Sequence, residues 1–157
     1  RRSSDLQLDR LPGLIETLRC YKKRVLTETA DTGLTPSPRH APEGECATAV
    51  MFLFDSAEAA EAFKEVAGGT ILANTGRHNY TEWDPILTLQ GAHHPSMNPF
   101  NFPENAECRK EYSKDMCRRS LDILARTVSL GLSPNMTDEQ VGELIVNIKS
   151  AAAAVSS

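Results

Sequence analysis

Leu11, Leu14, Ile15, Leu18 and Val25 fall at i, i+3, i+4 and i+7 and again one heptad on, the period of a helix with one buried stripe. The spacing predicts a helix over 9–28, with Pro12 in a first turn where a missing N–H leaves no bond unmade. Over 29–45 the pattern stops, and Gly33, Pro36, Pro38, Pro42 and Gly44 predict a long loop that carries Arg39 and His40. The continuous apolar run over 48–54 predicts a buried strand. Ser56 then caps a helix to about position 66, and Gly68-Gly69 stops it. A second strand over 70–73 ends in the turn Asn74-Thr75-Gly76, and 81–89 reads as a short helix capped by Thr81. The stretch 91–108, with Pro95, Pro99 and Pro103, is irregular. Beyond it, 115–126 has helical spacing and 128–130 reads as a strand. Thr137 and Gln140 form a capping box ahead of a final helix stripe of Val141, Leu144, Ile145 and Ile148. No internal repeat is read.

Strands alternating with helices predict a small α/β (α+β) sandwich: one short mixed sheet of about three strands, covered by helices mainly on one face, three-layer-like in outline. A single domain over 1–157 is expected, with a connecting helix over 1–28, a loop over 29–47 and the α/β core over 48–157. A chain of 157 residues, 40% hydrophobic and 24% charged, is long enough to bury one core.

Charge and cysteine usage narrow the function classes. Seventeen Lys and Arg against 21 Asp and Glu give a formal net charge of −4, which argues against nucleic acid or an anionic membrane as partner. No apolar run approaches the roughly 20 residues that span a bilayer. Cys20, Cys46, Cys108 and Cys117 form no CxxC pair and no regular framework, so free thiols in a reducing, cytoplasmic setting are expected. The N-terminus carries no apolar signal region, and the opening Arg1-Arg2 leads us to expect a piece of a longer protein.

Two clusters carry candidate chemistry. His78-Asn79-Tyr80-Thr81-Glu82-Trp83 gathers a His, a Tyr and the only Trp at a strand exit, suited to stacking on a planar ligand or bonding a polar one, or to an aromatic corner packed on the long loop. His93-His94-Pro95-Ser96-Met97-Asn98-Pro99-Phe100 sets hydrogen-bonding side chains among prolines that stiffen the loop. A zinc site would recruit His78, His93, His94, Cys108 and Cys117, at spacings that match no common zinc pattern. Cys117 falls in a helical pattern and reads as core rather than as a nucleophile. Gly68-Gly69 lies in no phosphate-loop motif.

The strings His78-x-Tyr80-x-x-Trp83-Asp84-Pro85, His94-Pro95-x-x-Asn98-Pro99-Phe100 and Tyr112-Ser113-x-Asp115-Met116-Cys117 resemble the C-terminal part of the DegT/StrS sugar aminotransferases. So does the ending Arg126-Thr127-Val128-Ser129-Leu130 with Pro134-x-Met136-Thr137, and Gln7-Leu8-Asp9-Arg10-Leu11 looks like the start of their connecting helix. The resemblance covers nearly the whole chain. It implies the small C-terminal domain of a fold-type I enzyme that uses pyridoxal 5'-phosphate, works as a homodimer, and moves an amino group from glutamate to a keto or aldehyde sugar. An octulosonate aminated at C8 for a lipopolysaccharide sugar is the expected substrate, and a nucleotide sugar is the near alternative.

His78 and Tyr80 match the family's H-x-Y/F motif, which implies contact with the sugar; Trp83, His94 and Asn98 match positions that shape the sugar site. The cofactor-carrying lysine, its acidic partner and the phosphate-holding groups have no counterpart here, so the chain alone is expected to be inert. Two rivals from other classes are a stand-alone ligand-binding module and the zinc domain. An unburied stripe at Leu11, Leu14 and Leu18 would favour the piece of an enzyme over the module.

Overall fold

The computed structural model describes residues 3–108 and 111–155, with the side chains of 3–7 and 77 outside the description. Five helices, α1 (Ser3–Glu28), α2 (Ala57–Ala67), α3 (Asp84–Leu87), α4 (Arg118–Ala125) and α5 (Asp138–Val155), accompany four strands, β1 (Thr35–Pro36), β2 (Ala49–Leu53), β3 (Thr70–Ile71) and β4 (Thr127–Gly131). The strands form one sheet in the order β1-β2-β4-β3, and every neighbouring pair is antiparallel.

The α+β class is therefore as expected, but the sheet is antiparallel rather than mixed. The unit β2–α2–β3 is split. β2 and β3 run the same way, and β4, from the far end of the sequence, lies between them. Local patterning cannot show such an insertion, because both kinds of neighbour need the same apolar face. The fourth strand, β1, is two residues long and sits inside the predicted loop, with Thr35 opposite Leu53 and Pro36 opposite Phe52. Pro36 is tolerated there because β1 is an edge.

Register explains the core. Val50 lies opposite Leu130, and Phe52 and Ile71 both lie opposite Val128, so the apolar residues of three strands share one face. That face packs with Leu18 and Val25 of α1, Ala60 and Phe63 of α2, and Val141, Ile145 and Ile148 of α5. Phe63 stands edge-on to Phe52, with ring centres 5.9 Å apart, and tilted against Phe54 at 4.9 Å. Met51, which points the other way from β2, is exposed, so the arrangement is two layers rather than three.

The helix ends follow their caps. The Ala59 N–H donates to Ser56 Oγ at 3.1 Å to open α2, and Gly68 closes it at φ +77°. A side chain at Gly69 (φ +90°) would meet the Ser129 carbonyl at 2.6 Å, so β3 can approach β4 only through glycine. The capping box forms as expected: Thr137 N–H donates to Gln140 Oε1 at 2.9 Å, and Gln140 N–H to Thr137 Oγ1 at 3.3 Å.

Helix α1 begins six residues earlier than the spacing predicts, so Pro12 stands inside it rather than in its first turn. The carbonyl it leaves without a donor belongs to Leu8, which is 64% exposed, and water can replace the lost bond. Leu11 is 44% exposed, whereas Leu18 is buried, so only the first part of the predicted stripe is open. No helix among the described residues is long and apolar enough to cross a membrane.

Candidate functional site

Between β3 and β4 the chain makes a lobe, described over 76–108 and 111–117, built largely from short 3₁₀ turns around α3. Asn79 begins it: its Oδ1 accepts the Thr81 N–H at 3.3 Å, and its Nδ2 donates to the Ala73 carbonyl at 3.3 Å. The predicted helix over 81–89 shrinks to α3, preceded by the turn Tyr80–Glu82, and the capping side chain is Asn79 rather than Thr81. The Asn79 amide oxygen, one residue before the turn, accepts one of its N–H groups, and such local bonds compete with a longer helix.

The irregular stretch is in fact periodic. Turns at Pro95–Met97, Pro99–Asn101 and Pro103–Asn105 recur every four residues. Each opens on a proline, whose fixed φ and absent N–H suit the first position. His94 Nδ1 accepts the Ser96 N–H at 3.2 Å, and Asn98 Oδ1 accepts that of Phe100 at 3.3 Å. Asn101 and Asn105 each donate back to the proline carbonyl six residues earlier, Pro95 at 3.1 Å and Pro99 at 2.8 Å. The signal is present in the sequence as Pro95, Pro99 and Pro103 with Asn101 and Asn105, but a four-residue period of turns matches neither the helical nor the strand repeat.

These turns help to wall a cleft of about 610 Å³, lined by Asp84, Thr88, Gln90, His93, Asn98 and Asn101 among others. Asn98 ties the proline turns to the segment after α3. Its Nδ2 donates to the Leu89 carbonyl at 2.7 Å, and its Oδ1 also accepts the Gly91 N–H at 3.2 Å. Leu89 has φ +57°, a strained value for a branched side chain, and Asn98 holds it there. A side chain on Gly91 would meet Pro99 Cδ at 2.9 Å. A second cleft, of about 480 Å³, opens beside Trp83 and shares Asp84 and Pro85 with the first.

The five sequence-predicted residues therefore separate. Trp83, 47% exposed, and Asn98 stand at the two clefts. His78 is exposed and lines neither, and His94 gives its place on the wall to His93. The Tyr80 hydroxyl donates to the Lys114 carbonyl at 2.7 Å and accepts the Cys117 N–H at 3.2 Å, so it ties the lobe together. Tyr80 thus holds the frame of the lobe, where the resemblance implied contact with the sugar, and Asn98, for which it implied a part in shaping the sugar site, bonds to Leu89 and Gly91 at the edge of the cleft. Cys117, expected in the core, is exposed at the start of α4. Asp84 enters the sequence reading only within the Trp83-Asp84-Pro85 string and Gln90 not at all, because a single polar residue carries no pattern of its own.

Among the described residues, no three His, Cys, Asp or Glu side chains converge where one metal ion could be held. No protein-family model matches the chain, and no curated protein matches it.

Proposed function

We propose that this chain is the small, sugar-facing domain of a pyridoxal-phosphate aminotransferase of the DegT/StrS kind, acting in the cytoplasm as a homodimer, with glutamate as amino donor. The observation that carries the reading is the cleft itself: Asp84, Thr88, Gln90 and Asn101 offer hydroxyl, amide and carboxylate groups, with no lysine or arginine among the described lining residues, beside the exposed Trp83. Such a set suits the hydroxyls of a sugar, with the indole as a stacking surface. The described wall therefore offers no cation to a sugar's carboxylate. For an 8-oxo-3,8-dideoxy-manno-octulosonate, the C8 end distant from the acid is the part that fits, and C8 is where amination would occur. The exposed Leu8 and Leu11 on α1 support a second domain packed along that helix.

The residues of this chain do not fit the cofactor. Pyridoxal phosphate needs a lysine amine at its carbonyl, a carboxylate at its ring nitrogen and donors at its phosphate. No described lysine lines either cleft. Lys22 is bonded to Glu45 at 2.6 Å and Lys64 to Glu61 at 2.7 Å, and Lys110 lies outside the described residues. In this reading those groups belong to a large domain, and the chain alone does not transaminate.

The test uses Trp83 as reporter, the one tryptophan of the chain. Titration with 3-deoxy-manno-octulosonate should change its fluorescence saturably, and Asp84→Ala should abolish the change; a flat response up to the solubility limit removes the reading. Sequencing the coding DNA ahead of the Arg1 codon separates this from a stand-alone module. An in-frame domain with a cofactor lysine is expected, and a start codon directly ahead of Arg1 favours the module.

A further inference from the structure

Away from the lobe, two further clefts, of about 280 and 720 Å³, adjoin between α1 and the segment after β1, and both are lined by Lys22, Leu26, Arg39 and Glu45. Arg19, Lys22, Lys23 and Arg39 bring four cations to the larger one against the two carboxylates of Glu43 and Glu45, in a chain whose net charge is −4. His40 stands at the smaller one.

Glu45 arranges these cations without using them up. Its Oε2 accepts from Lys22 Nζ at 2.6 Å, its Oε1 from Arg39 Nη1 at 3.3 Å, and its backbone carbonyl from Arg19 Nε at 2.8 Å. Each cation meets Glu45 through one N–H, which leaves the Nη groups of Arg19, Nη2 of Arg39 and the other protons of Lys22 for an incoming acceptor. The Lys22 side chain is only 12% exposed, so part of the hydration of its ammonium group has already been given up. Two guanidinium forks and the ammonium of a largely buried lysine side chain at one concave surface form the donor set that matches the oxygens of a phosphate group.

We propose that this cleft binds a phosphate group of a small molecule, held by Arg19, Lys22 and Arg39 with Glu45 as the organising carboxylate. The site is separate from the polar cleft of the lobe and stands independently of the proposed transaminase reading. Inorganic phosphate is the probe, added to the 157-residue chain at low salt while the arginine Nε–H signals are followed by NMR. Saturable shifts at Arg19 and Arg39 are expected, weakening as sodium chloride is raised. Arg39→Ala, on an exposed loop, and Lys22→Met should each weaken binding by about tenfold or more, whereas Arg119→Ala on α4 should leave it unchanged. Unsaturable shifts, or equal affinity in Arg39→Ala, would overturn the proposal. Succinate binding more tightly than phosphate would overturn it too, and would mark the cleft as a carboxylate site.

Discussion

The largest fully buried side chains of the sheet-and-helix core are all apolar: Phe52, Phe63, Ile148, Val25, Val50, Val128 and Val141. In the lobe over 76–117 the buried residues, among those described, are two amides, Asn79 and Asn98. The core is held by burial, which is non-directional and grows with apolar area, at roughly 25 cal/mol per Å². The lobe is held by directed bonds from side chains to backbone, each contributing about 1 kcal/mol net. One chain thus contains a cooperative scaffold and a lobe whose shape depends on single groups, and the polar cleft is in the second.

That contrast predicts unequal responses. Phe63→Ala removes a ring that touches Phe52 and Phe54 and should lower global stability by about 3–5 kcal/mol, read as a shift of the whole urea transition. Loss confined to the lobe would show that the two regions do not differ in this way. Asn98→Ala strands the Leu89 carbonyl and the Gly91 and Phe100 N–H groups. It should cost about 1–3 kcal/mol, felt locally as faster amide exchange over 88–105 while the urea midpoint stays near wild type. A fall in the midpoint as large as that of Phe63→Ala would merge the two regions into one cooperative unit.

The smallest expected effect concerns the loop between β1 and β2. Burial pushes the Glu45 carboxyl up, but hydrogen bonds and charge from Lys22 and Arg39 outweigh burial and hold it below its ordinary value of 4.5. A carboxyl lowered by folding contributes stability that is fully present above its ordinary value and is lost as pH falls through the lowered one. Acid should therefore loosen the segment over 37–45 in that window, seen as exchange broadening there, and Glu45→Gln should remove the pH dependence. The same dependence in Glu45→Gln would assign it to another group.

How far the sequence could be read divides along the same line. Helix α5 was legible from the helical period of its apolar residues and the local cap of Thr137 with Gln140, α2 from Ser56 with Ala59 and the glycine stop, β2 from a continuous apolar run and β4 from a short apolar one. The candidate site was legible only in part. The two His- and aromatic-rich clusters do lie in the lobe that carries the clefts. Which side chains face ligand and which hold the frame depends on bonds such as Tyr80 to residues 114 and 117, and no spacing encodes those.

By itself, then, the amino-acid sequence determined the α+β class, the main core elements and the segment without long helices or strands, since each follows from interactions within a few residues. Tertiary structure alone decided that β4 enters between β2 and β3, and that Asn98 closes the cleft across to Leu89. It also decided that Glu45 gathers Arg19, Lys22 and Arg39 into a second concave surface. Each of these joins groups distant along the chain, and the free energy that selects them exists only once the core has brought their backbones together.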